Sequence, residues 1–406
     1  MTVPERHLAF DAGLVNSKPA HAGALVVGGD HPGLAIARSL GRRGIPVFVL
    51  EDQLSVAAVS KYVSKVIRVP DLRDERRTVD ALLDIGHRFD LQNWVVFPTR
   101  DETVAACSRY RAELSQFYRI TTPDWNTIQW AWNKKNTYDL ANTLGIPCPE
   151  TFRVRSANEL ADLYGRLPLA IKPAVKENFF YATGAKAWRA DTISQLHELF
   201  EKASQQIPAE EILIQEIIPG GGSQQFSYCA FVVDGRPHSA LTARRERQHP
   251  REFGRAASYV ETVEAPVVED LSMRFLAAIN YYGLVEVEFK LDPRDGKYKL
   301  LDVNARAWGF HGLGAAAGVD FPYLLFSDQL GKVGEPCRAT AGIGWLRVIT
   351  DVPMVLGEVL CGRLDWRMYL RSLRRVQVES VFSRDDMLPS AAEFLLLPYL
   401  VMKKYL

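Results

Sequence analysis

Four polar residues stand at alternate positions in two β-rich runs: Glu286 and Glu288 in GLVEVEFKL, Asp302 and Asn304 in KLLDVNAR. Lys290 and Arg306 continue the alternation. Side chains alternate faces along a strand, so each set shares one face. The turn signal Asp292-Pro293-Arg294-Asp295-Gly296 between the runs predicts a hairpin. Unbulged antiparallel pairing of even with even positions gathers these groups on one surface. Val285, Val287, Phe289, Leu301 and Val303 then form the opposite, core-facing surface. Converging carboxylates repel one another unless a cation lies between them. Oxygen donors of this kind suit Mg²⁺, which usually takes phosphate oxygens too. The same pattern also suits a hairpin with a solvated charged face. Context shifts the balance toward chemistry, because DVNAR sits between an apolar strand and the glycine-rich WGFHGLGAAAG.

A phosphate-bearing partner needs cations. Lys172 lies inside the apolar strand LAIKPA, and lysine is rarely buried without a partner. Lys134 opens a helix beside Asn133 and Lys135. Alone it reads as a surface lysine; it gains meaning if it faces the same cleft as Lys172. Gln215-Glu216-Ile217-Ile218 ends an apolar strand before three glycines. Backbone groups there can bond an adenine edge while Ile217 and Ile218 pack on its face; an ordinary strand end is the other reading. In the basic run Arg244, Arg245, Arg247, Arg251 and Arg255, Arg245 is the candidate for holding phosphate or a carboxylate, whose geometry arginine forks match. Trp308 and His311 are core or substrate wall.

The elements that must position these residues follow from the bulk of the chain. At 406 residues two to four domains are expected. A formal charge of +1 gives no electrostatic case for a nucleic-acid partner. Residues 1–22 read as a leader without the apolar core of a signal peptide. No apolar run of about 18 residues predicts a transmembrane helix. Five scattered cysteines without a CxxC pair argue against a zinc site or disulfide framework and fit a reducing cytoplasm. Residues 23–125 alternate strand and helix, as an open parallel sheet does. Ligands on such sheets bind beyond the strand carboxyl ends, which makes Asp30, Arg100 and Asp101 candidate substrate contacts. The turn Gly28–Gly33 also invites a dinucleotide reading with Glu51 as the ribose acid. However, the glycine that lets backbone approach a pyrophosphate is replaced by Asp30. Residues 126–330 form a second unit, in parts of about 126–208 and 209–330, with helices over 126–145, 158–165, 192–205 and 269–282. Residues 331–406 are a separate extension ending in AAEFLLLPYLVMKKYL, a docked helix or a peripheral membrane contact.

In this order, NKKNTYDLANTLGIPCP, LAIKPA, LIQEIIPGGG, VEVEFK and LLDVNARAWG resemble the ATP-grasp superfamily. Within it they are most like carboxylate–amine ligases of the D-aspartate ligase and carbamoyl-phosphate-synthase-like group. The resemblance implies an α/β and α+β fold: a parallel-sheet domain, a two-subdomain ATP-grasp unit over about 128–331, and a small C-terminal extension. It implies that Lys134 and Lys172 bind ATP phosphates, and that Gln215, Glu216, Ile217 and Ile218 read adenine with Leu300 against its face. Glu288, Asp302 and Asn304 would hold two Mg²⁺ ions, Mn²⁺ being an alternative, and Arg306 would steady the transferring phosphoryl group. The segment KENFFYATGAK departs from the usual small-residue phosphate loop, with Lys186 as a compensating contact. Asp302 stands where glutamate is common. The implied activity joins a small carboxylate to an amine through an acyl phosphate, in a cytoplasmic enzyme with a homodimer left open. The alternatives are a non-catalytic ATP-binding protein and an NAD(P)-dependent oxidoreductase.

Overall fold

The structure is a computed structural model describing residues 22–249, 253–254, 256–332 and 334–399. The expected leader, the terminal lysines of the last segment, Arg251 and Arg255 lie outside the described residues. Three sheets follow one another along the chain. The first has strands β1 (Ala24–Val27), β2 (Val47–Glu51), β3 (Lys65–Arg68), β4 (Trp94–Pro98) and β5 (Tyr118–Ile120). They are all parallel, in the order β3-β2-β1-β4-β5. Strands β1 and β4 are apolar throughout and wholly buried, as strands covered on both faces must be. After β1 the chain turns at Gly28 (φ +108) into the helix His31–Gly41. A Cβ on Gly33 would lie 2.1 Å from the Gly28 carbonyl oxygen, so packing alone requires glycine there. Glu51 is fully buried and paired with Arg68 at 3.1 Å, which leaves no free acid for a ribose at the end of β2.

The helical run expected over 126–145 is two helices, Trp125–Trp132 and Lys134–Thr143. Asn133 divides them and caps the second, its side-chain oxygen accepting from the Lys135 amide at 2.9 Å. The second sheet comprises β6 (Thr151–Phe152), β7 (Leu169–Pro173), β8 (Trp188–Ala190) and β9 (Ile212–Glu216), in the order β6-β9-β7-β8. Leu169 and Ile171 join a core with Phe179, Leu196 and Ile214. The intervening Ala170 and Lys172 face the opposite way, into a cleft. The helix expected at 158–165 winds as 3₁₀ over Ala157–Arg166.

The third sheet is antiparallel except at one edge. Strands β10 (Gln225–Val233), β11 (Arg236–His249), β12 (Ala256–Thr262), β13 (Gly283–Leu291) and β14 (Tyr298–Asn304) are joined by β15 (Gly344–Leu346) and β16 (Val376–Glu379). The C-terminal segment is therefore not a separate tail, since it supplies the last two strands. Val285, Val287, Phe289 and Val303 pack with Phe275 of the helix Pro266–Ala278. Arg247 reaches the fully buried Asp351 at 2.8 Å and anchors the helix Val348–Leu360. The final helix, Leu388–Leu395, is tied down by Glu393 to Arg347 at 2.9 Å. Among the described residues no helix is long and apolar enough to cross a membrane.

Candidate active site

Strands β13 and β14 pair as the alternation predicts, Glu286 opposite Asn304 and Glu288 opposite Asp302. A register shift then falls between Glu288 and Phe289, so that Phe289 pairs with Leu300. Leu301 is the extra residue of this bulge. Such an insertion exchanges the faces of everything beyond it. Leu300 is consequently fully buried beside Phe289 in the core, and Leu301 lines the cleft. The assignment of Leu300 to an adenine face is thus corrected, as is that of Leu301 to the core. The Leu300 amide also donates to Pro147 at 2.8 Å, fixing the bulge against the linker.

The four polar groups converge on one face, with Glu286 buried and Glu288, Asp302 and Asn304 half-buried. Asn304 donates from its amide to Glu288 at 2.9 Å and to Glu286 at 3.1 Å. Ser227, on the neighbouring strand β10, donates to Glu286 at 2.8 Å. Arg245 lies 3.2 Å from Glu288 and 3.8 Å from Glu286. Burial, and then the adjacent Glu288 charge, push the Glu286 carboxyl up to about 7. Burial acts on Glu288 in the same sense, but Arg245 and Lys186 outweigh it and hold its carboxyl below the usual range. Burial opposes the Arg245 charge too, yet the two glutamates keep it firmly protonated.

Two lysines approach from the other wall. Lys134 is the first residue of its helix and forms an ion pair with Asp302. Lys172 donates to the Tyr138 hydroxyl at 2.6 Å, and Tyr138 donates to the carbonyl of Leu301 at 2.8 Å. Tyr138 follows Lys134 by four residues, one helical turn, and from its buried position it ties Lys172 to the bulge at Leu301. Burial, with the Lys134 charge adding to it, lowers Lys172 from 10.5 to about 7. Lys134 and Lys172 border a cleft of about 270 Å³ that also includes Lys186, Gln215, Glu216, Ile217 and Ile218. Lys186 donates to the Gly254 carbonyl at 3.3 Å. The Glu216 carboxylate is occupied by Lys299 (3.0 Å) and Arg294 (2.6 Å). Lys290 bonds the carbonyls of Ile218 (2.8 Å) and Gly220 (2.9 Å), which fixes the turn after β9.

A second cavity, of about 340 Å³, opens on the far side of the carboxylates at the junction with the parallel-sheet domain. It shares Lys186, Arg245, Glu288 and Asp302 with the first. Arg306 lies here, its guanidinium donating to Asp101 at 2.5 and 3.3 Å. Arg100 is held by Asp52 at 2.9 Å. Asp30 caps the helix His31–Gly41 by position, but its side chain makes no cap bond and faces the cavity. The segment 176–186 is a helix, Lys176–Thr183, and not a bare loop. It brings Phe180 and Tyr181 to the cavity wall, where Tyr181 bonds Glu102 and Arg73 stacks over its ring at 4.3 Å. His311 does not reach this cavity. A tight turn, with the His311 amide donating to the Trp308 carbonyl at 3.2 Å, carries it behind the wall, 1% exposed. Trp308 is core.

Tyr138, Asp52 and Tyr181 belong to the site without having been singled out from the sequence; Glu286 was placed on the polar face but given no role, and Leu301 was placed in the core. Spacing could have given roles to Glu286, by its pairing with Asn304, and to Tyr138, by its turn from Lys134. Asp52 and Tyr181 join through tertiary docking.

The donor set suits a magnesium nucleotide. No cage of three or more His, Cys, Asp or Glu exists among the described residues. Instead Glu288 and Asp302 oppose each other beside Asn304, with Lys134 and Arg245 on their oxygens. An ion that completes its shell with phosphate and water fits such a partial set, and the lysines beside it fit the phosphates.

A small sheet and a large sheet closing on a cleft, behind a parallel-sheet domain, form the ATP-grasp fold. No protein-family model matches the chain. It is 22% identical over 269 residues to the D-aspartate ligase of Enterococcus faecium (strain Aus0004), covering 63% of each chain. The match thus spans less than two thirds of that relative. The L-amino acid ligase of Bacillus licheniformis superposes with a TM-score of 0.58 and 18% identity, over 76% of this chain and 74% of that one. The biotin carboxylase domain of Hydrogenobacter thermophilus 2-oxoglutarate carboxylase, a dimer solved with MgADP and bicarbonate, gives 0.62 and 13%, over 79% and 73%.

Proposed function

We propose that this protein is an ATP- and Mg²⁺-dependent ligase joining a carboxylate to an amine through an acyl phosphate. The observation that carries the reading is the meeting of two cavities across one pair of carboxylates. Glu288 and Asp302 border both the lysine-lined cleft and the Arg306 cavity. A nucleotide in the first and a carboxylate in the second would therefore meet at Asp302. The relatives named as amino-acid ligases, and the MgADP of the biotin carboxylase complex, support this reading.

In this scheme Lys134 and Lys172 bind the nucleotide phosphates, and the strand end Gln215–Ile218 with Leu301 holds the base. Lys134 leaves Asp302 for phosphate, freeing that carboxylate. Glu288, Asp302 and Asn304 hold Mg²⁺, which neutralises the phosphate charge when bound. Arg306, positioned by Asp101, faces the substrate carboxylate. An oxygen of that carboxylate attacks the γ-phosphorus, and ADP leaves with the electron pair of the broken bond. Arg306 and Arg245 offset the charge on the equatorial oxygens, the main device in phosphoryl transfer. The amine then forms a C–N bond at the acyl carbon, phosphate departs, and the surplus proton passes to water. Phe180 and Tyr181 shield the acyl phosphate from hydrolysis. The number of ions and the identity of both substrates belong to this proposal, with amino acids as the first class to try.

The test is an ADP-release screen with Mg²⁺-ATP and amino acids, with hydroxylamine as the trapping amine. Carboxylate-dependent ADP and hydroxamate are expected. Nucleotide binding with no hydroxamate from any carboxylate would favour a non-catalytic ATP-binding protein.

A further inference from the structure

The segment that completes the third sheet also carries two helices on its outside. Arg247 donates to Asp351 at 2.8 Å in the helix Val348–Leu360 and to the Ser372 hydroxyl at 3.0 Å in the helix Trp366–Leu373. Asp351 lies near the start of the first helix and Ser372 near the end of the second. The helices therefore form an antiparallel hairpin, turned by residues 361–365. Its base is fixed to β11, and Leu360 and Trp366 lie at its tip.

The inner faces are already in use. Asp351 and Val355 are buried on the first helix. On the second, the Arg247 guanidinium lies over the Tyr369 ring at 5.1 Å. The outer stripe of the first helix is Pro353, Leu356, Gly357 and Leu360, at the i, i+3, i+4, i+7 spacing of one face. All four are exposed, Leu360 by 86%, and none carries a charge. Trp366 and Leu370, one turn apart on the second helix, are exposed too, as is Met368. Five large apolar side chains thus face outward within residues 356–370, a concentration that marks a protein or membrane contact.

Charge separates those two partners. Arg367, Arg371 and Arg374 recur at i, i+4, i+7, so they form one stripe alongside Trp366 and Leu370. All three are exposed, and none has a carboxylate partner among the described residues. The acids of the hairpin are engaged elsewhere: Asp351 with Arg247, Glu358 with Arg363 at 3.5 Å, and Asp365 in accepting from the Arg367 amide at 2.9 Å. Glu261 of β12 holds Arg375 at 2.6 Å.

We infer that this hairpin docks on an anionic lipid bilayer, with the helix Trp366–Leu373 lying along its surface. Trp366, Leu370 and the Leu356–Leu360 stripe enter the acyl boundary, and the arginine stripe meets the anionic headgroups. Tryptophan and leucine beside a basic stripe is the pattern of interfacial helices. A second copy of the chain fits less well, because a two-fold contact through this face sets unpaired arginines against their own copies. The inference does not rest on the ligase reading.

The test is cosedimentation of the full chain with phosphatidylcholine vesicles, with and without phosphatidylserine. One basic side chain near an anionic surface contributes about fivefold to binding, so three predict roughly 100-fold tighter binding when phosphatidylserine is present. That advantage should shrink as salt rises. Arg367→Gln, Arg371→Gln and Arg374→Gln together should remove it. Leu360→Asp with Trp366→Ser should weaken binding to the phosphatidylserine vesicles about tenfold or more. These positions are exposed, and unchanged circular dichroism should show that both variants fold. Absence of vesicle binding, equal binding to the two vesicle types, or binding unmoved by either set of substitutions would overturn the inference. So would a dimer in analytical ultracentrifugation, in place of vesicle binding, that Leu360→Asp with Trp366→Ser dissociates.

Discussion

The lysine-lined cleft and the junction cavity touch the same two carboxylates but are built differently. The cleft draws on residues each placed by its own strand or helix end: Lys134 at a helix start, Lys172 on an alternating strand, Gln215–Ile218 at a strand terminus. The junction cavity is assembled from separate segments of both domains. Its central group, Arg306, is held by Asp101, 205 residues away. A cleft of the first kind survives changes in domain docking. A cavity of the second kind exists only when the domains meet, which makes it the more natural place for specificity and for exclusion of water.

Substitutions can break that contrast or sharpen it. The largest effect is expected where the two regions share a group. Asp302→Ala and Glu288→Ala should each lower kcat by roughly 1000-fold or more, at the upper end for loss of a preorganised charge, with circular dichroism unchanged. Near-wild-type turnover in both would remove the hairpin from the chemistry. Next, Arg306→Ala should lower kcat by roughly 100-fold with ATP affinity intact. A parallel loss of ATP affinity would mean that the cavity is not separate from the cleft.

A third prediction concerns the cleft alone. Lys172 is held at about 7 in the free protein, from 10.5, chiefly by burial. Only the protonated form attracts phosphate, so bound nucleotide must raise its pKa. ATP affinity should therefore be greatest below pH 7 and fall as the pH rises, by no more than about tenfold per unit. Calorimetry in buffers of different ionisation enthalpy should show proton uptake above pH 7, and Lys172→Met should abolish it. Proton release on binding would contradict this. The smallest effect belongs to the cavity rim. Tyr181→Phe removes the bond to Glu102 and should raise the carboxylate KM about fivefold, the scale of one hydrogen bond, with ATP binding unmoved.

The same division explains what could be read from the sequence. Strand alternation was enough to bring Glu288, Asp302 and Asn304 together, because their pairing lies on the regular side of the bulge. It failed for Leu300 and Leu301, since one inserted residue reverses the faces beyond it and local composition does not announce the insertion. For His311, core and substrate wall were both open, and the turn after Trp308 decides for the core. The Arg306–Asp101 and Tyr181–Glu102 contacts depend on how domains dock, which periodicity within one segment does not encode. The extension after 331 showed no strand signal of its own; β15 and β16 are short and are defined by the sheet edge they join.

The central claim is that a carboxylate in the Arg306 cavity is phosphorylated by ATP from the cleft. It is tested most directly by supplying the carboxylate identified in the screen with an isotopic label in its oxygens and following that label with Mg²⁺-ATP and amine. An acyl phosphate transfers one carboxylate oxygen to the released inorganic phosphate, so labelled phosphate equal to the ADP formed is the predicted result. ADP and amide appearing with unlabelled phosphate would contradict the account.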